Sequence, residues 1–308
     1  MQSFLDRLPT GYCDLFGISE ILHPECLQEA HVTAFVWTAQ PRSVCLGLNR
    51  KYFDEAAAND NIVAVICPRK AFSVPPAKKK AVVIADKPEE LYYTVHNIAI
   101  HESGDEPTAN RDIHPSVKVA GSTLLIGDQI RIGANSIIHE NCILTGPVEI
   151  GADCTIHPNV MLGTDGLFSK KVLGRKIHIR HFGGVRLGDN CIIHAGTNIS
   201  RSVNFSEFTN LGDNVHVGIG ANIGHDSQIG ADTEISGRVM LAGRVVIREG
   251  CWLGAGAILS NAIEVGRGAK IRIGAVVIDN VAAGADVSGN FASDHSARLR
   301  QHLVAKKR

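Results

Sequence analysis

From Ile126 a large apolar residue recurs at every sixth position: Ile132, Ile138, Leu144, Ile150, Ile156 and Leu162. The register breaks there and resumes at Leu187. It then runs through Ile193, Ile199, Phe205, Leu211, Val217, Ile223, Ile229, Ile235, Leu241, Ile247, Leu253, Leu259, Val265, Ile271 and Val277. A fixed six-residue period predicts a parallel β-helix, each coil made of three short strands around a narrow apolar interior. The anchors point inward. So do the residues four places on, which are small and include Cys142, Cys154, Cys191 and Cys251. Glycine follows many anchors, as at Gly133, Gly212 and Gly254, where a Cβ would crowd the corner. Three hexads per coil predict about eight to nine coils.

Residues 1–105 lack this period. Strand-like runs at 44–48, 61–68 and 81–86 alternate with helix-like stretches at 53–60 and 87–100, which predicts a small α/β domain. The polar stretch 101–112 reads as a linker, and the charged segment Pro75–Lys80 as a solvated loop. Residues 106–288 form the solenoid, interrupted at 163–186 by an insertion too long to stay in a coil. Its basic residues (Lys170, Lys171, Arg175, Lys176, Arg180, Arg186) suit a flap that meets an anionic substrate. Residues 289–308 leave the period and read as a short basic helix with Ser293 as N-cap, placed to cover the last coil's open edge.

Composition narrows the function classes. With 31 basic and 31 acidic residues the net charge is zero, which argues against a nucleic-acid partner. No apolar run reaches the roughly 20 residues of a membrane span, and the first apolar run carries charges, unlike a leader peptide. The eight cysteines show no CxxC and no metal-ligand spacing, so a reduced, cytoplasmic setting and no metal are expected.

Among fourteen histidines, His225 stands out. It lies two residues after the anchor Ile223, so it projects outward, and Asp226 follows it. Imidazole is suited to take a proton near neutral pH, and a neighbouring carboxylate can orient the ring. His139, His157 and His194 each directly follow an anchor, where a corner role suffices. Gly243 lies one coil of three hexads beyond His225, where its N–H could face a developing oxyanion.

Four motifs carry a resemblance to a known family. Leu46-Gly47-Leu48-Asn49-Arg50-Lys51-Tyr52 resembles a uridine-binding F-L-x-N-P-K-Y segment. Gly163-Thr164-Asp165-Gly166-Leu167 resembles the G-A-D-G-F that opens an inserted loop, and His181-Phe182-Gly183-Gly184-Val185 that loop's return. Ile223-Gly224-His225-Asp226 resembles a catalytic I-A-H-N or I-A-H-D, with Met240-Leu241-Ala242-Gly243 at the matching spacing. Together they resemble the sugar N-acyltransferases of lipid A biosynthesis that act on UDP-3-O-(3-hydroxyacyl)glucosamine.

The resemblance implies a left-handed parallel β-helix behind a nucleotide-binding α/β domain, assembled as a homotrimer. It implies His225 as general base, Asp226 as its orienting partner and Gly243 as oxyanion donor. It places Asn49, Tyr52 and Leu46 at the uracil, and Asp165 and Asn222 at the substrate. The acyl donor would be a phosphopantetheine thioester, on acyl carrier protein or coenzyme A, with no further cofactor. The sequence departs from the pattern in four places. Leu46 replaces an aromatic, Arg50 replaces proline, Asn261-Ala262 stand where a second histidine is frequent, and the C-terminal segment is short. These departures keep open an alternative, an acetyl-coenzyme A-dependent N-acetyltransferase of a nucleotide deoxyamino sugar.

Overall fold

The structure, a computed structural model, describes residues 12–72, 76, 79–98, 111–127 and 129–289. Most of the expected linker, part of the Pro75–Lys80 loop and the expected helix capped by Ser293 lie outside the described residues.

The N-terminal unit is a five-stranded sheet. Its strands are β1 (Ile18–Leu22), β2 (Val32–Thr33), β3 (Ser43–Leu46), β4 (Ile62–Cys67) and β5 (Ala81–Ala85), in the order β1-β5-β4-β3-β2. Only β1 runs antiparallel to its neighbour. All five residues of β5 are buried, as a continuous apolar run with both faces covered requires. Helix α1 (Arg50–Ala58) connects β3 to β4, and α2 (Pro88–Ile98) follows β5. Asn49 caps α1, its Oδ1 accepting from the Tyr52 N–H at 3.0 Å.

From Arg111 the chain winds as a left-handed parallel β-helix whose three faces carry, among the described residues, nine, eight and eight short strands. Ile223 pairs with Leu241, Leu241 with Leu259 and Leu259 with Val277, so each coil takes 18 residues. These four side chains are inward and at most 8% exposed. The cysteines at the small inward position are buried and free. Their thiols donate to backbone carbonyls, Cys142 to His157 O and Cys154 to Gly188 O, both at 3.1 Å. Gly133 and Gly212 sit where a Cβ would come within 2.6 and 2.7 Å of the next coil's backbone, which explains the glycines after the anchors.

Two anchors of the sequence ladder are corrected. Ile126 is 47% exposed, and the inward residue of that strand is Leu125, which pairs with Leu144. The step from Leu125 to Ile132 therefore holds one residue more than a hexad. Phe205 is not an anchor either. Ile199 pairs with Ile223, 24 residues on instead of 18, so residues 201–207 loop out of the coil. A six-residue insertion preserves a six-residue period and is invisible in it. The longer insertion forms an antiparallel hairpin, Ser169–Val172 with Arg175–His178.

Both insertions leave the solenoid at the same corner in successive coils, and the corner of the following coil holds His225. Both also grip the N-terminal unit. Val172 is buried in that unit's core, Lys170 pairs with Glu89 at 2.5 Å, and Leu173 N–H donates to Glu90 at 2.6 Å. Tyr92 donates to Asn204 Oδ1 at 3.3 Å, and Thr38 to Glu207 at 2.7 Å. Of the cations expected in the flap, Lys170 is thus committed to a carboxylate of the N-terminal unit, whereas Arg186 lies outside the flap, in the solenoid strand Gly184–Leu187, and pairs with Glu149 at 2.6 Å.

His96 is the most deeply buried link in this junction. Its Nε2 donates to Arg180 O at 2.9 Å, and its Nδ1 accepts from the Thr33 hydroxyl at 2.5 Å. Burial lowers its pKa from 6.5 to about 4. The unfolded chain binds this proton below pH 6.5 and the native one only near pH 4. Stability is therefore fully present above pH 6.5 and falls as the pH drops through this window. The loss from this one group should be on the order of 3 kcal/mol. Urea midpoints measured from pH 7.5 down to pH 4 should fall accordingly, with a shallower fall in His96→Gln.

Candidate active site

The corner Gly224-His225-Asp226-Ser227 follows the strand Asn222–Ile223. Ile223 is fully buried in the solenoid, which forces the next residues to the outside. Asp226 takes a left-handed backbone, φ 61°, which aspartate tolerates better than most residues. Its N–H donates to Thr209 Oγ1 at 2.9 Å. Its Oδ1 accepts from Val203 N–H at 2.9 Å and from the Ser202 hydroxyl. Its Oδ2 accepts from His225 Nδ1 at 2.7 Å. The two side chains are only 5% and 13% exposed. A carboxylate this buried needs several donors, and the 201–207 loop supplies two of them. Because the carboxylate can only accept, His225 Nδ1 carries the proton and Nε2 presents a lone pair.

That lone pair faces Gly243. A Cβ on Gly243 would lie 2.5 Å from His225 Nε2. Among the described residues no acceptor takes the Gly243 N–H. Phe168 (centroids 5.4 Å) and His181 (5.2 Å, edge to face) close over the ring. Burial and the neighbouring His225 bring the His181 pKa to about 4, so that this second imidazole is neutral.

A cavity of about 240 Å³ opens from this point. The N-terminal unit contributes Trp37, Leu46, Tyr52 and Tyr93, the hairpin Phe168 and Lys170, and the solenoid Asn204, His225, Asp226 and Arg244. The structure thus brings Leu46, Tyr52, His225 and Asp226 to one cavity, with Gly243 beside it. Besides Gly243, three expected site residues lie outside its lining. The Asn49 side chain caps α1. Asn222 accepts from Asn198 at 3.0 Å and donates to Met240 Sδ at 3.2 Å along an outward column. Asp165 lies 3.2 Å from Arg201 and 3.7 Å from His178.

Ser202, Val203 and Asn204 went unread because their loop hides in the period. Phe205, the lone aromatic among the anchors, is the signal that could have exposed it, since a benzyl group is large for so narrow a core. His139, His157 and His194 stack on one another at 5.4 and 4.7 Å along another corner.

Residues 129–164 match a model described as bacterial transferase hexapeptide (six repeats), and 178–201 one described as hexapeptide repeat of succinyl-transferase. A UDP-3-O-acylglucosamine N-acyltransferase of Paracidovorax citrulli is 25% identical over 175 residues, covering 53% of this chain and 51% of that protein. One of Shewanella denitrificans is 41% identical over 54 residues, 18% of this chain and 16% of that protein. The match to the longer-aligned relative thus spans about half its length. A Bacteroides fragilis UDP-N-acetylglucosamine acyltransferase structure superposes with TM-score 0.52 at 20% identity, covering 64% of this chain and 74% of that one. Among the described residues no helix is long and apolar enough to cross a membrane.

Proposed function

We propose, from the premise that this chain belongs to the hexapeptide-repeat acyltransferases that include the UDP-3-O-acylglucosamine N-acyltransferases, that it moves an acyl group from a thioester to the amine of a nucleotide-linked amino sugar. One observation carries this reading: a single cavity joins His225, held through Nδ1 by Asp226, to Leu46 and Tyr52 of the N-terminal unit. A nucleobase held against Leu46 and Tyr52 would place a tethered amine near Nε2, turning remote binding into orientation at the reacting atoms.

The amine nitrogen attacks the thioester carbonyl while His225 Nε2 takes the amine proton. The Asp226 carboxylate stabilises the imidazolium that forms. Gly243 N–H donates to the oxyanion of the tetrahedral intermediate. The C–S bond then breaks, and His225 returns the proton to the departing thiolate, leaving an amide and a free thiol. Arg244, at the cavity wall, would meet the substrate's phosphates. The enzyme would act as a homotrimer in the cytoplasm, without a metal in the chemical step.

The test is thiol release with a panel of UDP- and dTDP-linked amino sugars, offering hydroxyacyl carrier protein in one arm and acetyl-coenzyme A in the other. Release that requires the amino sugar is expected, and the productive arm assigns the donor. No sugar-dependent release in either arm would overturn the reading.

A further inference from the structure

No metal-ligand spacing is visible in the sequence, yet the fold assembles a set of ligands that no linear spacing could show. Asp165 lies where the chain enters the long insertion, and His178 and His181 where it returns. Their donor atoms all lie within 4.8 Å of one another, the one such group of three among the described residues. His181 is 3% exposed. Its Nδ1 donates to Ile179 O at 3.0 Å, which leaves Nε2 as a bare lone pair. That Nε2 is buried and has no hydrogen-bond partner, alone in this respect among the described side chains. A buried acceptor left empty costs free energy and calls for an occupant.

We propose that Asp165, His178 and His181 form a divalent-cation site of the zinc type at the base of the hairpin, with His181 Nε2 as its buried ligand. The donor set is two imidazoles and one carboxylate, which suits zinc with a fourth position left to water. The second imidazole nitrogen of His181 is fixed by a backbone carbonyl, the arrangement that orients metal-binding histidines. Arg201 Nε holds Asp165 Oδ1 at 3.2 Å, and Oδ2 is turned to His178 Nε2 at 3.7 Å. Asp165 and His178 are half-exposed side chains able to rotate the short way to bonds of about 2 Å. Gly166 leaves room beside the buried ligand, since a Cβ there would stand 3.2 Å from His181 Nε2. The ion would tie the two ends of the insertion together next to His225 without touching the reacting atoms. This site stands independently of the proposed acyl transfer.

The full chain, stripped with a chelator and dialysed, should bind one Zn²⁺ per chain by calorimetry, and the ion should raise its Tm. Asp165→Ala and His178→Ala, at half-exposed positions that the fold tolerates, should each weaken binding about tenfold or more. His181→Gln should abolish it. If His181→Gln does not fold, the other two variants carry the test. Absence of stoichiometric Zn²⁺ binding, as expected if water fills the gap, overturns the proposal. So does binding that Asp165→Ala and His178→Ala leave unchanged.

Discussion

Replacing His225 with glutamine should lower kcat for acyl transfer by a factor of about 10²–10⁴, the range a positioned general base contributes. The KM for the nucleotide sugar should hold if, as proposed, the nucleobase is held against Leu46 and Tyr52 of the N-terminal unit and not by His225. Glutamine can still donate an N–H to Asp226, so the carboxylate keeps its donors and the urea midpoint should move little. Steady-state kinetics and a denaturation curve on the same preparation separate the two effects. A variant that folds and turns over at the normal rate would remove His225 from the mechanism. A rise in KM with kcat intact would instead make it a binding residue. Asp226→Asn is a weaker diagnostic. It replaces an acceptor with a group that also donates, against Ser202, Val203 and His225 all donating to it, so loss of function and loss of stability would arrive together.

The sequence was most legible where one physical constraint repeats. A narrow interior admits a branched aliphatic every sixth residue and little else, so Ile223, Leu241 and Leu259 announce both the coil and its 18-residue rise. That rise alone sets His225 and Gly243 one above the other, as the pairing of Ile223 with Leu241 shows. In the N-terminal unit, β3, β4, β5 and both helices were readable as apolar runs and helical spacing. β2, two residues long, carries no period to read. The failures share a cause. The 201–207 loop satisfies the hexad by coincidence, with Val203 and Phe205 at allowed positions, while its backbone leaves the coil and its Ser202 and Val203 serve Asp226. A period reports spacing along the chain and is silent about a detour of the same length. The meeting of Asp165, His178 and His181, and of Tyr52 with His225, depends on how the hairpin and α2 dock, through contacts such as Lys170 with Glu89. Those are contacts between segments far apart in sequence, with no local pattern to mark them.

Gly243→Ala should be nearly as damaging as loss of the histidine, by a different route. Gly243 has no left-handed backbone, so alanine meets no φ penalty there. The added methyl meets the imidazole instead, at 2.5 Å from Nε2 and 2.6 Å from Cε1. The ring cannot retreat cheaply. Its other edge is bonded to Asp226 at 2.7 Å, and Asp226 is fixed in turn by Val203 and Thr209 at 2.9 Å each. Either the methyl occupies the space an attacking amine needs, or the ring tilts away from its line of approach. Both should reduce kcat by about 10²-fold, since an ångström of misplacement at the reacting atoms has that effect. Crowding at one well-packed point should lower stability by about 1–3 kcal/mol and leave the solenoid folded. The double variant His225→Gln/Gly243→Ala then decides the mechanism. If the methyl acts by blocking the histidine, the double variant should be no slower than His225→Gln alone. If the two losses multiply, Gly243 contributes through its own N–H, whose geometry the methyl disturbs, and the oxyanion role gains direct support.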